Sequence, residues 1–236
     1  MAPWIDPFIE TLARQGWATT TEAFTPAQIQ ALYREAQELD CAGAFRLAAI
    51  GHGTEQTVRR DIRGDRIYWL DPEHPTPAQA IYWQVVDHLR QRLNETLFLS
   101  LHDAEAHLAI YPPGSFYHRH LDQHRDRALR LITLVLYLNP DWRSEDGGQL
   151  RIYPEPNAPE EGIDLLPEGG LLVGFRSDTI PHEVLPARRA LQPDRLAAAL
   201  RSAGTAALTR LGFGGRYGGR LAPMPEPDQS HQADHH

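Results

Sequence analysis

Two stretches in the first half of the chain carry apolar residues at helical spacing. Ile29, Leu32, Tyr33 and Ala36 form one set, and Ile81, Val85, His88, Leu89 and Leu93 repeat the period further on. The same four residues announce both runs, Thr25-Pro26-Ala27-Gln28 and Thr76-Pro77-Ala78-Gln79. Threonine caps, proline suits the first helical turn, and glutamine three residues after the cap can close a capping box. A shorter helix is expected over Phe8–Gln15. The repeated tetrapeptide is capping chemistry, and no longer repeat accompanies it.

Near residue 96 the pattern changes to short β-like runs. They are His107–Tyr111, Leu131–Leu138, Gln149–Tyr153, Leu171–Phe175 and Glu183–Leu185, separated by Pro, Gly, Asn and Asp. Ile132–Tyr137 is apolar or β-branched almost throughout, as for a strand covered on both faces. Helices first and strands after point to an α+β fold, an all-β core with helices packed on one side. Closely spaced short strands favour a sandwich, jelly-roll or barrel. Pro193–Leu200 is Ala-rich and reads as a helix, with Gly204 as its stop. Thr205–Phe213 reads as a last strand and Pro223–His236 as a disordered tail. The division expected is one domain over 1–220, with helical support to about 95, a β core over about 96–213, and a tail over 221–236.

Composition narrows the function. The 236 residues carry a formal net charge of −8, which disfavours nucleic acid as a partner. A single cysteine, Cys41, excludes an internal disulfide framework and a four-cysteine zinc site. No 18-residue apolar run and no signal-peptide layout are present, so a cytoplasmic protein without a membrane partner is expected.

Twelve histidines are the other compositional feature. Two His-x-Asp triplets occur, His120-Leu121-Asp122 and His124-Arg125-Asp126, no more than 31 acidic residues in 236 produce by chance. Context has to decide. In an extended segment His120 and Asp122 point to one face, so one metal can take both. His182, at the start of a predicted strand, is a candidate second histidine. Two histidines and one carboxylate leave metal positions open, which suits Fe(II) and O2 chemistry, although the same donors also bind zinc. His118 and His124 flank the candidate ligand as loop residues, and His88 is expected as a core or edge histidine of its helix.

The residues around these positions resemble the 2-oxoglutarate- and iron(II)-dependent dioxygenases, within them the prolyl 4-hydroxylase superfamily. The branch is that of the oxygen-sensing prolyl hydroxylases and their bacterial relatives. Four ordered blocks carry the resemblance: Asp61–Trp69, Tyr111–Asp122, Tyr137–Trp142 continuing to Gly147–Pro154, and Pro181–Pro186. It implies a double-stranded β-helix, a jelly-roll variant, buttressed by the N-terminal helices. It also implies that His120, Asp122 and His182 bind Fe(II), that Tyr137 bonds the distal carboxylate of 2-oxoglutarate, that Thr133 lines that pocket, and that Tyr111 lies near the cofactor and the metal. Arg63 and Asp65 match a loop beside the substrate entrance, with Arg130 as an ion-pair partner for Asp65.

The family places a basic residue about nine positions after the second histidine, where this chain has Leu191. Arg188, Arg189, Arg195 and Arg210 are the candidates for a cation that would clamp the co-substrate carboxylate. Arg195 is preferred, and it requires residues 195–199 to be a strand, against the helical reading of that segment. If Thr205–Phe213 is that strand instead, Thr205 takes the clamp position. The activity implied is hydroxylation of a prolyl residue in a protein or peptide, with Fe(II), 2-oxoglutarate, O2 and ascorbate as the accompanying small molecules. The alternatives are a hydroxylase of a free amino acid or small molecule on the same scaffold, and a non-catalytic metal-binding module of the same fold.

Overall fold

The computed structural model describes residues 2–48, 62–122, 130–155, 157–158 and 160–189, together with the backbone of 195–202. Three α-helices are present among the described residues: α1 (Ile5–Gln15), α2 (Pro26–Cys41) and α3 (Pro77–Leu97). Eleven strands interleave with and follow them among the described residues. Before α3 come β1 (Trp17–Thr20), β2 (Arg46–Leu47) and β3 (Arg66–Trp69). After it come β4 (Leu101–Ile110), β5 (Tyr117–His120), β6 (Arg130–Tyr137) and β7 (Leu150–Ile152). The last four are β8 (Ile163–Leu165), β9 (Leu172–Arg176), β10 (His182–Val184) and β11 (Arg195–Ser202).

They form two antiparallel sheets, one of seven strands in the order β1-β9-β6-β11-β4-β3-β2 and one of four in the order β5-β10-β7-β8. This is the expected α+β jelly-roll. Strand β6 shows why its sequence is apolar throughout. Ile132, Leu134 and Leu136 face the helices with Phe8, Leu12 and Leu89, whereas Val135 and Tyr137 face the second sheet with Ile152, Phe175 and Val184. The helices therefore cover the outer face of the large sheet, and its inner face packs against the small one.

The two capped helices begin as their sequence dictates, with one difference. In α2 the box is complete: the Gln28 amide bonds Thr25 Oγ1 at 3.3 Å and the Thr25 amide bonds Gln28 Oε1 at 2.8 Å. In α3 the Gln79 amide reaches Thr76 Oγ1 at 3.2 Å, but the Gln79 side chain turns to Glu35 of α2. The second box is given up for a tie between helices. The buried stripe of α3 is also rotated from the expected one, running through Tyr82, Val86, Leu89 and Leu93, with Ile81 and Val85 half-buried beside it. His88 is exposed, not a core or edge residue.

The largest departure is at 195–202. The helix read over Pro193–Leu200 is a strand, β11, hydrogen-bonded to β4 on one side and β6 on the other. Alanine's helix propensity is worth less than one kcal/mol per residue, and two open ladders flanking one segment outweigh it. The reading of Thr205–Phe213 as a strand and of 221–236 as a tail lies outside the described residues.

Candidate metal centre

The inner face of the small sheet sets the geometry. His120, the last residue of β5, is the direct ladder partner of His182, the first residue of β10. Their rings lie 4.3 Å apart. Each has its Nδ1 against a carbonyl two residues back, His118 O at 2.7 Å and Ile180 O at 3.2 Å. That contact leaves Nε2 of both rings for another partner, as in histidines that ligate metals. Asp122, two residues past β5, supplies it: its Oδ1 lies 3.4 Å from His120 Nε2 and 3.7 Å from His182 Nε2. One donor atom from each residue falls within 4.8 Å of the other two. Two imidazole nitrogens and one carboxylate oxygen on one side, with the rest open, fit Fe(II) by donor chemistry.

Further groups hold these three in place. Thr133 of β6 donates its hydroxyl to Asp122 Oδ2 at 2.7 Å, and Ser177 lies 2.8 Å from the Thr133 oxygen. Burial pushes the Asp122 carboxyl up, but the His182 and His120 imidazoles and the Thr133 hydroxyl together hold it well below the usual carboxylate range. Around the histidines the rings are continuous. Tyr117 stacks on His120 at 3.6 Å and Phe175 meets His182 at 4.5 Å. On the outer face of the small sheet the phenol of Tyr153, just past β7, bonds Glu183, and the Arg119 guanidinium lies 3.7 Å from the Tyr153 ring centre, linking β5 and β10 behind the ligands.

The segment before β3 closes one side. His118 donates its amide to Ile62 O, and Gly64 donates to Phe116 O, so residues 62–64 run along the free edge of β5. Arg63 forks Asp65 with bonds of 2.7 and 2.5 Å and lies over the Tyr117 ring at 4.3 Å. Asp65 is 1% exposed. The expected Asp65–Arg130 pair is not what the register allows. Asp65 precedes Arg66, which pairs with Ile110 near the Tyr137 end of the sheet, whereas Arg130 begins β6. Seven residues along a strand is roughly 23 Å. Arg130 is bonded instead to Glu105 of β4, at 2.9 and 2.5 Å.

Tyr111 and Tyr137 are both buried in the inner apolar cluster. Residue 195 sits opposite Tyr137 on one neighbouring strand and Ala109 on the other. Arg189 is engaged elsewhere, over Trp142 and at 3.3 Å from Asp141 O, and Arg188 is exposed. Arg210, His124 and Asp61 lie outside the described residues. The sequence reading gave no role to Ser177, Tyr117 or Phe175. Phe175 sits on a strand that the pattern marks, Tyr117 lies in a segment that none of the β-like runs covers, and a lone hydroxyl such as Ser177 has no spacing that marks it.

A family model described as the 2OG-Fe(II) oxygenase superfamily matches residues 106–200, which contain all three candidate ligands, and the chain belongs to this superfamily, in its prolyl-hydroxylase-type group. Its fold is similar to that of a Pseudomonas putida prolyl-4-hydroxylase, with 40% identity and a TM-score of 0.75, over 85% of this chain and all of that one. It is also similar to a Trichoplax adhaerens prolyl hydroxylase solved with a peptide from the hypoxia inducible factor oxygen degradation domain. There the identity is 26% and the TM-score 0.73, over 84% of this chain and 89% of that one. The Caenorhabditis elegans hypoxia-inducible factor prolyl hydroxylase is 32% identical over 77% of this chain, which spans 26% of that protein's length.

Proposed function

We propose that this chain is an Fe(II)- and 2-oxoglutarate-dependent dioxygenase that hydroxylates a prolyl residue in a protein or peptide. The observation that carries the reading is the convergence of His120, Asp122 and His182, from two strands and a loop, on one point. In this reading the three residues hold Fe(II), which with 2-oxoglutarate and O2 supplies oxidative decarboxylation to succinate and CO2 and oxygen insertion at carbon. Tyr137 and Arg195 hold the distal carboxylate of 2-oxoglutarate, and Tyr111 and Thr133 line its pocket. The register that sets residue 195 across from Tyr137 supports this, because a buried carboxylate needs a cation and a phenol can share it. Arg63, pinned by Asp65, lines the entrance over Tyr117. Ascorbate is the expected auxiliary reductant.

A prolyl substrate within a polypeptide is supported by the three relatives described above, each named a prolyl hydroxylase, one of them solved with a peptide bound. The test is turnover of 2-oxoglutarate with Fe(II) and proline-containing peptides. Succinate release that rises with peptide, and the gain of one oxygen atom on a proline by mass spectrometry, are expected. No turnover at saturating Fe(II) would leave a metal-binding module, and oxygen gain on a free amino acid alone would move the substrate class.

A further inference from the structure

Asp122 stands outside the strands. It follows the last residue of β5 by two positions, so no ladder fixes its carboxylate, and the two ladder-held histidines cannot by themselves decide how it is presented. Its two oxygens are treated differently. Oδ1 is the one near both imidazole nitrogens, while Oδ2 takes the Thr133 hydroxyl. A carboxylate only accepts, so the single Thr133 proton is committed to Asp122. Thr133 Oγ1 must then accept from its other neighbour, and Ser177 is the donor at 2.8 Å. Ser177 is fully buried, so surface water does not reach its hydroxyl. It opens the turn that leads from β9 to His182, and its amide is held by Leu131 O of β6.

We infer that Ser177, acting through Thr133, is a positioning residue that ties back Oδ2 of Asp122 and leaves only Oδ1 for the metal. The inference rests on the proposed function, since it presumes that the three ligands bind Fe(II). The physical consequence is a count of open positions. A carboxylate that swung to bind through both oxygens would occupy a place on the metal that co-substrate or O2 requires. Hydrogen bonds to a ligating carboxylate fix its orientation, and their loss typically weakens metal affinity about 10- to 100-fold. The chain Ser177–Thr133–Asp122 also joins the turn carrying His182 to the loop carrying Asp122, so the third ligand is set relative to the second.

Co(II), which reports coordination by its visible absorption, is the probe. Wild type, Ser177→Ala, Thr133→Val and Thr133→Ser are titrated with Co(II) as full chains, and melting of the metal-free proteins is recorded in parallel. Expected are metal binding by wild type, about 10-fold or greater loss of affinity in Ser177→Ala and Thr133→Val, and a weaker, shifted visible band from a higher coordination number. Thr133→Ser, which keeps the hydroxyl, restores the wild-type spectrum. If Ser177→Ala does not fold, the contrast between Thr133→Val and Thr133→Ser decides. Wild-type affinity and spectrum in a folded Ser177→Ala, or in Thr133→Val, overturn the inference alone. A wild type that binds no metal overturns the proposed function and this inference with it.

Discussion

His120 and His182 are direct partners across the β5–β10 ladder, and the register of that ladder alone brings their rings to 4.3 Å. Two ligand positions 62 residues apart in sequence are thus fixed by backbone hydrogen bonds before any metal arrives. Removing either imbalances the donor set without breaking the sheet. His120→Ala, His182→Ala and Asp122→Ala are each expected to lower Fe(II) affinity by more than about 100-fold, beyond the range for outer residues. Equilibrium dialysis checks this, with circular dichroism unchanged. Retained iron in any of the three would remove that residue from the site.

The proposed clamp is separable from the proposed metal site. Arg195→Ala should raise the apparent KM for 2-oxoglutarate about 10- to 100-fold, the equivalent of one charge-assisted hydrogen-bonded pair, while Fe(II) affinity stays within about two-fold. Arg195→Lys should recover part of it, because an ammonium keeps the charge and loses the fork. Steady-state kinetics over a range of 2-oxoglutarate decides. An unchanged KM would move the role to another residue.

Asp65 has its carboxylate buried against Arg63, whose side chain is also largely enclosed. Desolvation lowers the Arg63 pKa, and the bond and charge of Asp65 more than reverse it, raising the pKa above its ordinary value. Asp65→Asn strands a buried cation and is expected to cost about 3 kcal/mol, read as a lower urea midpoint at unchanged slope. A loss within the error of the fit would show the pair to be dispensable.

Tyr82 is fully buried, stacked on Phe24, and its hydroxyl has no hydrogen-bond partner among the described residues. Burial pushes its pKa well above that of an ordinary phenol. A folded-state pKa that is raised gives a contribution fully present below the unfolded phenol's pKa of about 10 and lost as pH rises beyond it. Tyr82→Phe should therefore match or exceed wild-type stability at pH 7, by about 1 kcal/mol, and widen its lead above pH 10. Melting temperatures of the two proteins across pH 7–11 test the sign, and a lead that shrinks with pH contradicts it.

Gly174, in the middle of β9, is where α1 sits on the large sheet. A Cβ there would lie 2.6 Å from the Phe8 ring and 3.1 Å from Leu134. Gly174→Ala is expected to destabilise by about 1–3 kcal/mol through overpacking, with metal binding intact. Thermal melting beside Co(II) titration separates the two effects.

What could be read from the sequence followed from patterns that local chemistry enforces. The Thr25 and Thr76 caps and the doubly apolar Ile132–Tyr137 run each mean the same thing in the chain as in the fold. Residues 195–202 do not, because Ala and Leu favour a helix locally and become a strand only when β4 and β6 stand on either side. The Asp65–Arg130 pairing fails for a related reason: charge matching along a sequence is blind to which end of a sheet each residue occupies. Strands as short and polar as β1 and β2 carry no alternation to detect.

The place of β11 also governs how the protein can assemble. It is among the last segments in sequence, yet it fills the centre of the seven-stranded sheet. During synthesis β4 and β6 therefore emerge long before the strand that joins them, each with a row of unsatisfied amides and carbonyls on a hydrophobic edge. Closure is a late, long-range event of the kind that folds slowly and exposes intermediates to aggregation. A chain that ends before residue 195 has every proposed iron ligand but holds the large sheet as two separate pieces, β1-β9-β6 and β4-β3-β2, with open edges on β6 and β4.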